Sequence, residues 1–195
     1  MKQAFLVLLV AFIGCSSPES NLGDDLFGKG QYEKAIKAYS EYLSTHPSHV
    51  QSLYNRARSY EELNQYEKAK TDLNAIVKMD PKNINAYMSL SKIAYEEKSF
   101  SRAASFAGKA IKENPNVAQA HFLSARSSHQ LGYFDQALEA YSNAISVNKE
   151  FGEAYLYRGA IKVSQKKMRS ACEDFKKADN LDVKEASKAL KDYCN

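Results

Sequence analysis

Four histidines, three cysteines and a few acidic pairs are the side chains of this 195-residue sequence whose types and spacing could do chemistry. His46 and His49 flank Pro47, and His121 and His129 stand eight apart. None of them has a carboxylate or a further histidine at metal-binding spacing, so they read as solvated or packed side chains. Gly28-Lys29-Gly30 lacks the four-residue spacing and the Ser/Thr of a phosphate-cradling loop. Glu61-Glu62 and Glu96-Glu97 fall on polar faces and read as surface rather than as an acid/base pair. The formal net charge of +4 is spread along the chain, too diffuse for a nucleic-acid surface. No enzyme activity, cofactor or metal is expected. Cys15, Cys172 and Cys194 are left, and what they do depends on the elements that carry them.

Those elements repeat. Ala35, Ala69, Ala103, Ala137 and Ala171 recur every 34 residues, each with a large apolar residue three before it: Tyr32, Tyr66, Phe100, Phe134 and Met168. Four residues after each alanine stand Tyr39, Leu73, Ala107, Tyr141 and Phe175, and seven after stand Tyr42, Ile76, Ala110, Ala144 and Ala178. Spacings of three, four and seven share one helix face, and a small alanine lets a neighbouring helix come close. A second amphipathic stretch precedes each of these, with Ala57, Ser91, Ala125 and Gly159 at the same period. Gly30, Asn64 and Gly132 sit between the two stretches, where a left-handed residue ends a helix at little cost. Lys98 and Lys166 depart from that pattern. Each unit reads as a helix hairpin, and Pro47, Pro81 and Pro115 close the first three.

A 34-residue helix pair with small residues at positions 8 and 20, an aromatic at 17 and proline at 32 resembles the tetratricopeptide repeat. Five units fall at about 16–49, 50–83, 84–117, 118–151 and 152–185, with Glu19, Lys149 and Val183 departing from the pattern. The fold this implies is all-α: a right-handed α-solenoid of about five hairpins over residues 20–195, each unit packed on its neighbours. Residues 184–194 supply a closing helix, with Ala186, Ala189, Leu190 and Tyr193 as an apolar stripe and Lys184, Lys188, Lys191 and Asp192 as polar surface.

The amino terminus reads as an address. The apolar run from Ala4 to Ile13 is about half the roughly 20 residues that a membrane-spanning helix takes, and has the length of a signal-peptide core. Ile13-Gly14-Cys15 resembles the lipobox of bacterial lipoproteins, with Phe12 in place of the usual leucine. The resemblance implies a signal over residues 1–14, lipid on Cys15 and a short tether over 15–19. It also implies a lipid-anchored location in the bacterial cell envelope, facing periplasm or exterior. Secretory cleavage near Ser16 and an uncleaved anchor are the other readings. In an oxidising compartment Cys172 and Cys194 make an even pair. They lie about equally far before and after the turn at Asp182-Val183, so in an antiparallel helix pair they face one another and a bridge would staple the closing helix. Two free thiols are the alternative.

The resemblance implies, finally, a concave groove lined by positions 2, 5, 6, 9, 12 and 13 of each first helix. Position 9 gives Arg58, Lys92 and Arg126, expected as a ladder of three aligned cations. Position 5 gives the apolar row Tyr54, Met88, Phe122 and Leu156. Gln51, Asn85, Gln119 and Glu153 at position 2, with Asn55 and Ser89 at position 6, offer polar groups to a peptide backbone. The partner this chemistry implies is a protein or extended peptide, acidic or carboxylate-ended, bound in envelope assembly or organisation. The family's carboxylate clamp is not reproduced: of Ser20, Asp24, Asn55, Asn85 and Ser89 at its positions, only Asn55 matches. Two further readings are a carbohydrate-handling or enzyme-associated subunit whose groove aromatics stack on sugars, and a structural spacer with no groove ligand.

Overall fold

A computed structural model describes residues 18–194, and among them eleven α-helices and no strand. Cys15 and the residues before it lie outside the described part. The hairpins are α1 (Pro18–Gly28) with α2 (Tyr32–Thr45), α3 (Val50–Glu62) with α4 (Tyr66–Met79), α5 (Ile84–Glu96) with α6 (Phe100–Glu113), α7 (Ala118–Gln130) with α8 (Phe134–Val147), and α9 (Gly152–Ser164) with α10 (Met168–Asp179). A single helix, α11 (Lys184–Tyr193), closes the array. None of the described helices is long and apolar enough to cross a membrane.

The alanines at the 34-residue period are the points where the two helices of a hairpin meet. All five are completely buried. The small residue of the partner helix faces them: Ser91 Oγ donates to the Ala103 carbonyl at 2.8 Å. In the last unit a Cβ added to Gly159 would lie 2.6 Å from the Phe175 ring, so only glycine fits there.

The turns inside the hairpins share one backbone geometry whatever the residue. Gly30, Asn64, Gly132, Lys98 and Lys166 all have φ between 55° and 77°. The two lysines thus depart in type but not in conformation. Each turn is closed by a six-residue hydrogen bond, such as Gln65 N to Tyr60 O at 2.8 Å and Ser99 N to Ala94 O at 2.8 Å. That bond and the packing on either side carry the roughly 1–2 kcal/mol that the left-handed lysine costs. Between hairpins, Asp80, Asn114 and Asn148 each accept from the backbone N–H two residues on, at 3.1, 2.9 and 3.0 Å. The turn survives at Asn148 although Lys149 stands where proline does elsewhere.

Two junctions between hairpins are tied by the same ion cluster. Arg56 donates to both Asp72 oxygens, at 2.8 and 2.7 Å, and to Ser40 Oγ at 3.0 Å. Arg158 does the same to Asp174 at 2.9 and 2.6 Å and to Ser142 at 3.1 Å, and Lys162 adds a 2.7 Å bond to Asp174. A largely buried ion pair of this kind fixes register more than it adds stability. Beyond neighbouring helices, α1 touches α3, α3 touches α5, α5 touches α7 and α9 touches α11, which puts the odd-numbered helices on the inner, concave side.

Cys172 on α10 and Cys194 after α11 are joined by a disulfide, with Cα atoms 5.7 Å apart. Of the apolar stripe on α11, Ala186 is buried and Ala189 and Leu190 half-buried. Tyr193 departs from the expectation: it is 48% exposed and meets Phe175 only at 6.2 Å between ring centres.

Candidate functional site on the concave face

Position 9 of each first helix meets position 12 of the first helix before it. Arg58 lies over the Phe27 ring at 5.4 Å, Lys92 Nζ is 3.5 Å from Glu61 Oε2, and Arg126 lies over the Tyr95 ring at 4.1 Å. The three cations do recur along α3, α5 and α7, but not as the bare ladder expected. Two are laid on aromatic faces and the middle one is paired. A guanidinium held over a ring can still donate its N–H groups to another acceptor, so Arg58 and Arg126 retain binding capacity that Lys92 shares with Glu61.

Glu61 itself contradicts the reading of it as surface. It is only 6% exposed, and its Oε1 has no hydrogen-bond partner among the described residues. Burial raises its carboxyl above the usual range, with Ser89, Lys92 and Arg58 pulling it back. The neighbouring Glu62 and Glu96 are exposed, and Glu97 receives a 2.7 Å bond from Lys70. The signal that would have found Glu61 was its own repeat position, one of the six that face the groove.

Around Glu61 the inner surface forms a cavity of ≈ 320 Å³. It brings together Tyr54, Arg58, Met88, Ser89, Lys92 and Gln119 of the expected set and adds Glu61 and Leu123. Tyr54 and Met88 also pack on the core, leaving one side of each to the groove. The amides divide. Gln51 donates to Asn55 Oδ1 at 3.0 Å, and Asn55 donates to Asp24 Oδ1 at 2.8 Å, so Asn55 is engaged within the protein. Asn85 and Gln119 stand exposed.

Phe122 is a correction. It is 7% exposed and sits in a ring cluster with Phe151 at 4.7 Å, Tyr141 at 5.8 Å and Tyr157 at 5.9 Å, so it is core more than lining. Leu156, one residue before Tyr157, is half-buried. The histidines have local work: His49 Nδ1 accepts from Ser52 N at 3.3 Å and caps α3, His46 stacks on Tyr42, and His121 Nε2 lies 2.8 Å from the Pro115 carbonyl. Among the described residues no group of three or more side chains is placed to hold a metal ion.

Residues 26–93 match a family profile described as Tetratricopeptide repeat, and residues 73–144 match one described as Anaphase-promoting complex, cyclosome, subunit 3. Curated protein sequences give no significant match. Among solved structures, MamA is 27% identical, with a TM-score of 0.75 over 85% of this chain and 97% of its own. MamA from Desulfovibrio magneticus RS-1 is 18% identical, with a TM-score of 0.76 over 86% of this chain and 97% of its own. YrrB, whose structure is described as that of a protein with an unusual peptide-binding site, is 20% identical, with a TM-score of 0.70 over 91% and 92%. The fold is that of a tetratricopeptide-repeat-like solenoid, and residues 26–93 carry the sequence pattern of that repeat.

Proposed function

We propose that this protein is a lipid-anchored interaction module that holds an extended segment of another protein against its concave face, in the assembly or organisation of a bacterial cell envelope. The observation that carries the reading is the inner cavity, where Tyr54 and Met88 offer apolar surface beside Arg58, Lys92 and the exposed Gln119. Apolar walls with a few convergent polar groups suit a peptide whose side chains seat while its backbone is bonded. Two cations against the one carboxylate of Glu61 leave the cavity net positive, which favours a segment carrying acid groups. Core packing of Phe122 leaves Tyr54 as the one aromatic ring lining the cavity among the described residues, which weighs against the carbohydrate reading.

A photo-crosslinking residue placed at Asn85 or Gln119 is expected to join the partner in intact cells, and one at Lys34 or Lys68 on the outer helices is not. Crosslinks from the outer positions alone would overturn the groove. The anchor has its own test. Two or more acyl chains give stable membrane attachment where one is marginal, so Cys15→Ala is expected to lose metabolic acyl labelling and to leave the membrane fraction. Unchanged labelling in that variant removes the lipid from the proposal.

A further inference from the structure

At its first junction the chain holds one of its own carboxylates in a small polar site. Asp24 on α1 accepts from the Tyr39 hydroxyl at 2.7 Å and from Asn55 Nδ2 at 2.8 Å. A shift of three units, 102 residues, carries Asp24, Tyr39 and Asn55 onto Arg126, Tyr141 and Tyr157. The supporting junction is the same at both places, since the Arg56 cluster maps onto the Arg158 cluster by the same shift. The chemistry between them is inverted: a cation stands where the acid was, and the acceptor is gone.

The tyrosine is unchanged and still needs that acceptor. Tyr141 is 0% exposed, and its hydroxyl has no hydrogen-bond partner among the described residues. Burial raises it above its ordinary range, with Arg126 pulling it back. The Arg126 guanidinium lies over Tyr95 at 4.1 Å and forms no ion pair or side-chain hydrogen bond among the described residues, so its N–H donors are uncommitted. Tyr157 stacks on Tyr141 at 6.1 Å with the rings 11° from parallel. It is 37% exposed, the part of this wall open to solvent.

Resting on the groove reading above, we propose that Arg126 and Tyr141 form a carboxylate subsite, taking an acid group of the bound segment at the place Asp24 holds in the first junction. The acid oxygen accepts from the Tyr141 hydroxyl and the Arg126 guanidinium, between the rings of Tyr95 and Tyr157. An aspartate side chain and a chain terminus present the same chemistry, and two probes separate them.

The probes are the acetylated peptides Ac-Ala-Asp-Ala-NH2 and Ac-Ala-Ala-Ala-OH, with Ac-Ala-Ala-Ala-NH2 as the uncharged control, titrated while the arginine side-chain and tyrosine ring signals are followed by NMR. At least one acid peptide is expected to shift the signals of Arg126 and Tyr157, and the control is not. Tyr141→Phe is expected to weaken that binding roughly tenfold or more, the scale of a lost hydrogen bond to a charged acceptor. It should leave the melting temperature unchanged or higher, because it deletes an unpartnered buried hydroxyl. Tyr39→Phe, which deletes a satisfied one, should melt lower. Equal affinity of an acid peptide for Tyr141→Phe and wild type overturns the subsite, as does the absence of any shift. If the crosslinks at Asn85 and Gln119 persist in Tyr141→Phe when the subsite fails, the groove reading stands without it.

Discussion

A carboxylate buried beneath a lysine, an arginine and a serine titrates away from its ordinary range, and the direction of the shift sets a pH effect. The Glu61 carboxyl is raised, by burial first. The folded chain therefore holds that proton to higher pH than the unfolded one, whose value is near 4.3. The stability this group allows is fully present below that value and is lost as pH rises through the folded value. Glu61→Gln removes the loss. The variant is expected to melt higher than wild type at pH 7 and equally at pH 4, by thermal denaturation at the two values. A lower melting temperature at pH 7 would mean that the ion pair with Lys92 outweighs the burial. Such a residue is hard to read from sequence, because two adjacent glutamates on a helix look like solvated surface. What buries Glu61 is α5, thirty residues further along, and the contacts of position 9 with position 12 join a cation to a ring, an acid and a ring in turn. No single residue type marks that contact.

The helices were far more legible than their contacts. Side-chain volume at the hairpin seam is periodic, and volume is what close packing constrains, so five buried alanines 34 residues apart announce the seam. The turns were legible where glycine or asparagine stood in them and not at Lys98 and Lys166, where the closing hydrogen bond does the work that residue type does elsewhere. The seam is also where substitution should be felt most. Gly159→Ala sets a methyl 2.6 Å from a Phe175 ring that is itself 1% exposed and has nowhere to go. Overpacking of this kind costs about 1–3 kcal/mol, to be read from denaturant midpoints. Phe175→Leu in the same chain should recover part of the loss, and an unaltered midpoint in Gly159→Ala would show that α9 and α10 separate freely.

Across the whole molecule, stability is shared between neighbours, so the last element depends on a single contact face. The disulfide closes that end over a sequence separation of 22 residues. A loop of that length is worth roughly 3 kcal/mol against the unfolded chain. Cys194→Ser is expected to lower the unfolding midpoint and to raise amide exchange first in α11, with the exchange of α3 to α8 little changed. Uniform acceleration along the chain would instead show that the array opens as one unit. The junctions have a different consequence. Ser40–Arg56–Asp72 and Ser142–Arg158–Asp174 are one coupling made twice, so the two ends of the stretch between them are interchangeable parts. Inserting a second copy of residues 57–158 after Arg158 would join Arg158 to Ala57 in register and pair it with the copied Asp72. The chain could then be lengthened by whole sets of three units, as a rod is extended by identical threaded sections.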